Sequence, residues 1–275
     1  MSKLCTVVVL YFLFTTSFVN AQINLGDRAL GALQNAASGF MFTNEDAAKL
    51  SLEAVTKMDK ENKVAPTKNL YAVRLNKIFN KHAFENGLKL NYKVYLTKDL
   101  NAFATADGSV RVFSGLMDAM DDNQLLAVIG HEIGHVANND SRDAMKAAYR
   151  KAALIDAAAS QSDKVAAVTD GQLGQVASAM LDSRYSRTQE SEADDYSYDF
   201  MKKHGYNVNA VASAFDILAK MAQGTQSNFI TQMMSSHPDP QDRANKARAR
   251  ATEEGLFKEY VVLKKTTTKS TKKKK

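Results

Sequence analysis

Two histidines four residues apart, His131 and His135, lie in the run Gly130-His131-Glu132-Ile133-Gly134-His135, inside an apolar stretch of helical period from Asn123 to Asn138. Four residues are little more than one α-helical turn, so both imidazoles leave one face and can reach one ion. Zinc fits such a pair best. Glu132, beside the first histidine, stands where such motifs supply a carboxylate that deprotonates water at the metal. Asp121 with Gln124 three residues later predicts a capped start close to a capping box, and Leu125, Leu126, Val128, Ile129, Ile133 and Val136 give the apolar face. Gly130 and Gly134 each cost a helix interior about 1 kcal/mol relative to Ala. That cost implies something packed tightly against the backbone beside each histidine, most simply a strand or a substrate segment.

Two histidines leave a catalytic zinc site one protein ligand short. The run Ser186-Arg187-Thr188-Gln189-Glu190-Ser191-Glu192-Ala193-Asp194-Asp195 opens a second helix that continues to Lys203 and ends in His204-Gly205. Glu190 is the expected third ligand. Asp194 follows one turn later on the same face, placed to accept a hydrogen bond from a ligand histidine and fix its tautomer, while Glu192 points elsewhere. His204 is expected as a C-terminal cap residue rather than a ligand.

The chain begins with Lys3, an apolar core from Thr6 to Phe18 and the small residues Val19-Asn20-Ala21, the pattern of a secretory leader over 1–21 with processing before Gln22. The apolar run is shorter than the ~20 residues that span a bilayer. Cys5, the only cysteine, precedes that core, so the mature chain would hold no thiol and must rely on a packed core. No later stretch is long and apolar enough to cross a membrane. Seven lysines lie from Lys264 to Lys275, and without them and Lys3 the formal +6 turns slightly negative, so the tail is basic and the body is not. The expected division is a lead-in at 22–43, a catalytic domain at 44–263 and a disordered Lys-rich tail at 264–275. The tail is either a solvated end or a contact to an anionic surface or outer-membrane protein, and no nucleic-acid role is expected.

Asn44 with Glu45 and Asp46 predicts a helix to about Asn62, and a second is expected from Thr67 to Asn86, stopping at Gly87, with His82 on its surface. The alternation Leu90, Tyr92, Val94, Leu96 predicts a half-buried strand, and 101–105 with 109–113 around Asp107-Gly108 a hairpin. If this small sheet packs across the metal helix, its outer strand can receive an extended peptide. Ala-rich helices are expected over 143–160 and 162–183, and another from Pro240 to Gly255, capped by Asp239. The fold class is α+β, mostly helical, with a small sheet beside the His131–His135 helix.

The set Asn101-Ala102-Phe103, His131-Glu132-Ile133-Gly134-His135, Ser186-Arg187 with Glu190 and Ala193-Asp194, and His237-Pro238 with Arg243 resembles the HtpX and CAAX prenyl protease group of zinc metallopeptidases, the minigluzincins, over about 44–250. The resemblance implies a zincin-like domain holding one zinc by His131, His135 and Glu190, with Glu132 as catalytic base and Asp194 supporting a ligand. It places His237 near the metal, stabilising the oxyanion or masking zinc in a latent form, with Arg243 beside it. Lacking transmembrane helices, the chain looks more like the secreted, periplasmic branch, implying an endopeptidase acting on unfolded or misfolded envelope proteins in quality control. The alternative is a zinc-masked, chaperone-like binding module. Membrane association through the tail, the substrate and the oligomeric state stay open.

Overall fold

Helix α1 (Asn44–Glu61) is started by Thr43, whose side chain accepts from the Asp46 N–H while Asp46 accepts from the Thr43 N–H. The cap thus falls one residue before Asn44, because Asp46 can close a capping box only with Thr43. The computed structural model describes residues 43–262 except 86, 160–169, 183 and 225–226; the expected leader and lysine-rich tail lie outside the described residues.

Helix α2 is shorter than its sequence pattern, spanning Leu70–Phe79 from an Asn69 cap. The chain then tightens through a 3₁₀ turn at Asn80–His82 into β1 (Phe84–Glu85), reverses at Gly87, φ 75°, and returns as β2 (Leu88–Lys89). The turn sends His82 inward against the Phe200 ring, leaving it 1% exposed, so the expected surface histidine is buried. Tertiary contact overrides local helix preference here.

Strand β3 (Asn91–Tyr95) runs parallel to β5 (Ser109–Phe113), and β4 (Ala102–Ala104) is antiparallel on the other side of β5, giving the order β3-β5-β4. The hairpin turns at Gly108, φ 83°, where an added Cβ would strike the Lys89 carbonyl oxygen. Side chains alternate between two cores. Val94 and Val112 join the larger one around the metal helix, whereas Tyr95 and Phe113 join a smaller one under α1. β5 is therefore buried at every position, while β3, exposed at Asn91 and buried at Val94 and Tyr95, is the half-buried strand that its alternation predicted.

After α3 (Ser114–Ala119) comes α4 (Asp122–Ala137), carrying both motif histidines from an Asp121–Gln124 capping box. α5 (Asp140–Ala159) and α6 (Asp170–Asp182) pack on each other and on α1, and α6 runs through Gly171 and Gly174 without a break. α7 (Arg187–Lys203) lies along α4. α8 (Asn209–Gln223) and α9 (Ser227–Ser236) fall in a stretch to which the sequence patterns assigned no element; α10 (Pro240–Glu253) stops two residues short of Gly255. Asp239 precedes it in the left-handed region, φ 57°, and makes no side-chain cap bond, unlike the expected cap. The domain is mostly helical α+β with its small sheet against the metal helix, as expected, and among the described residues no helix is long and apolar enough to cross a membrane.

Candidate active site

The glycines of α4 explain how its histidines reach a second helix. A Cβ on Gly134 would lie 3.1 Å from Ala193 Cα, and one on Gly130 would lie 3.1 Å from Phe200 Cδ1. The close neighbour is therefore α7, not a strand or substrate as the sequence suggested. This approach brings Glu190, in the first turn of α7, to the His131 and His135 face of α4.

His131 Nε2 lies 3.0 Å from His135 Nε2 and 3.6 Å from Glu190 Oε2; His135 Nε2 lies 3.4 Å from Glu190 Oε1. His237, delivered by the end of α9, places Nδ1 2.8 Å from Glu190 Oε1 and 3.3 Å from His131 Nε2. One donor atom from each of these four buried residues falls within 4.8 Å of all the others.

Each motif histidine has a carboxylate behind it. His131 Nδ1 is 2.9 Å from Asp194 Oδ1, and His135 Nδ1 is 2.9 Å from Asp140 Oδ2. With both Nδ1–H groups donating to carboxylates, both Nε2 atoms are left as acceptors facing one another at 3.0 Å, with Arg243 Nη2 3.2 Å from that of His131. A shared cation resolves that repulsion, so the donor set fits zinc. Arg243 forks onto Asp194 through Nε at 2.9 Å and Nη2 at 2.6 Å, reaches Glu190 Oε2 with Nη1 at 2.7 Å, and lies over the Phe215 ring. Although near, that Nη1 contact is off the hydrogen-bonding direction, so Glu190 Oε2 keeps no hydrogen bond.

Burial, reinforced by Arg243 and His135, holds His131 well below the usual imidazole range, in the neutral form that binds metals. Burial also lifts Glu132 to about 7, with His237 opposing and Glu190 adding to the rise. For Glu190 burial pushes upward, but the His135 and His237 imidazoles beside it outweigh it and hold the carboxyl far below the carboxylate range. Glu132 Oε1 is buried without a hydrogen-bond partner, 3.7 Å from His237 Nε2. An orphaned buried carboxylate oxygen facing a cleft has a proton to take or a water to hold.

Two contributors escaped the sequence reading. Asp140 follows Asn139, whose left-handed φ of 66° folds the chain back onto α4, and a five-residue spacing from His135 has no helical signature. Tyr185 stacks on His135 at 3.8 Å between ring centroids, in a stretch with no pattern of its own. Conversely, His204 sits at the α7 C-cap, as expected, far along that helix from Glu190.

The description "Peptidase family M48" matches residues 69–251. The chain is 40% identical over 230 residues to the metalloprotease LoiP of Escherichia coli strain K12, covering 82% of this chain and 90% of that protein. It is likewise 40% identical over 224 residues to the metalloprotease YcaL of the same strain, covering 81% and 86%. To the beta-barrel assembly-enhancing protease of that strain it is 28% identical over 180 residues, 61% of this chain and 36% of that one. With two thirds of its length under one family description and a buried His/His/Glu/His cluster built to hold a cation, this chain belongs to peptidase family M48 and is a zinc metalloprotease.

Proposed function

We propose that the protein is an endopeptidase of the periplasm that cleaves unfolded or misfolded envelope polypeptides. The observation that carries this reading is that the sheet's edge strand β4 and the orphaned Glu132 line one cleft, together with Tyr185 and His237. An edge strand offers backbone groups to an extended chain, which recognises main chain more than side chains and so suits unfolded substrates. The name of one relative ties that protein to beta-barrel assembly, and the expected leader directs this chain across the inner membrane.

His131, His135 and Glu190 would hold zinc, with Asp194 and Asp140 fixing the two imidazoles. When bound, zinc supplies Lewis-acid polarisation of the scissile carbonyl and acidifies water. Glu132 takes a proton as the water oxygen adds to the carbonyl carbon, then gives it to the departing amine as the C–N bond breaks. His237 Nε2, on the Glu132 side of the cluster, donates to the developing oxyanion. Arg243 balances the charge of Asp194 and Glu190, opposing the burial that raises the Asp194 carboxyl above its ordinary value.

The test is cleavage of an unfolded protein by wild type beside Glu132→Gln. Wild type should cut and stop with chelator, while the variant keeps its zinc and loses on the order of 10²–10⁴-fold in rate. Equal rates on a rigid folded protein and its unfolded form would sink the extended-substrate reading. A second reading is favoured by one distance: His237 Nδ1 is itself within the four-donor cluster, so His237 can close the site as a fourth ligand in a latent form.

A further inference from the structure

The sequence has five histidines, and the active site uses three. The other two, His82 and His204, meet at the far end of α7 across a gap of 122 residues in sequence and share a glutamate, Glu85. Every histidine of the chain thus belongs to one of two His/Glu clusters, and the one helix α7 reaches both, with Glu190 near its start and His204 at its C-cap.

We propose that His82, Glu85 and His204 form a second divalent-metal site of the zinc class, joining the 3₁₀ turn and β1 to the end of α7. His82 Nδ1 and His204 Nε2 each lie 3.0 Å from Glu85 Oε1, and one donor atom from each residue falls within 4.8 Å of the others. The imidazoles meet edge to face, 4.5 Å between centroids and 80° apart. His82 Nε2 is 2.7 Å from the Tyr206 hydroxyl, and with Nε2–H donating there, as the outer hydrogen bond of a metal-binding imidazole, Nδ1 is the ligand atom.

His204 Nε2 carries the argument further. That atom is buried, and although Glu85 Oε1 is near, the approach is off the hydrogen-bonding direction, so it has no hydrogen-bond partner. A buried imidazole nitrogen aimed at a carboxylate and a second imidazole, without a hydrogen bond, is placed as a ligand rather than a proton donor.

Two imidazoles and one carboxylate suit zinc and its first-row neighbours, not calcium or magnesium, which prefer all-oxygen cages. Lys203 Nζ, 3.6 Å from Glu85 Oε2, is the competing positive charge, but its side chain is 68% exposed and can swing into solvent. The His204 side chain is 25% exposed, which leaves a side for water as the remaining ligand and makes the ion exchangeable. The role is a clamp on α7.

The experiment is zinc stoichiometry of the purified full chain by equilibrium dialysis and elemental analysis, repeated as a cobalt titration read by visible absorption. Wild type should take up two equivalents. His204→Gln, which keeps a polar side chain at the helix cap, and Glu85→Gln should each take up one and keep peptidase activity, and zinc should raise the Tm of wild type more than theirs. A wild type that saturates at one equivalent overturns the site. So does a second equivalent that survives both substitutions, which assigns it elsewhere on the surface. Loss of the active-site equivalent alone, in a Glu190→Gln control, separates failure of this site from failure of the first.

Discussion

Ala193 Cα stands 3.1 Å from the point that a Cβ on Gly134 would occupy, with Tyr196 Cβ at 3.0 Å on the same side. The histidine helix and the glutamate helix therefore touch backbone to backbone beside His135. Zinc geometry across α4 and α7 depends on that contact.

Gly134→Ala should destabilise the protein by about 1–3 kcal/mol, because overpacking against rigid backbone outweighs the ~1 kcal/mol gain in helix preference. Gly130→Ala should cost less, since its close neighbour is the Phe200 ring, which can turn aside. Urea denaturation of both variants, with zinc affinity measured alongside, checks the order; a Gly134→Ala protein of wild-type stability and affinity would show that α7 can move away freely.

Asp140→Ala removes the acceptor behind His135 Nδ1 and the Gln189 Nε2 bond to Asp140 Oδ1 at 2.9 Å. Outer partners of this kind are worth about 10–100-fold in metal affinity. Competition with a coloured chelator should show zinc bound that much more weakly, with the fold intact by circular dichroism. Unchanged affinity would mean that the tautomer of His135 is fixed by something else.

His237→Ala distinguishes the two states of the site. Loss of an oxyanion donor should lower kcat by about 10²-fold with zinc content unchanged. A gain in activity would instead establish the masked form, in which the His237 imidazole must leave before substrate enters.

Asp59 anchors the sheet to α1 by accepting from Arg111 Nε and Nη2, Lys93 Nζ and the Tyr95 hydroxyl. Burial acts to raise its pKa, but these partners together hold it below the usual carboxylate value. A lowered folded pKa contributes stability above the unfolded value of about 3.9 and loses it as pH falls through the folded one. Asp59→Asn should therefore cost about 2 kcal/mol at pH 7, and the gap from wild type should shrink below about pH 4. Denaturation midpoints at the two pH values decide it; a gap constant with pH would assign the loss to packing.

The sequence alone determined the parts written in local spacing. His131 and His135 share a helix face because four residues make one turn, Asp121 and Gln124 announce the start of that helix, and Glu190 with Asp194 repeat the same logic on the next. The hairpin at Gly108 and the mostly helical α+β class were legible for the same reason. Only the tertiary structure decided what depends on distant chain segments meeting. It set α7, not a strand, against the α4 glycines; it turned His82 inward to His204; it ran β3 parallel to β5; and it folded Asp140 back behind His135. A local pattern states which way a side chain leaves its own backbone, whereas its partner is set by packing the whole core, where one close approach between two helices fixes all the others.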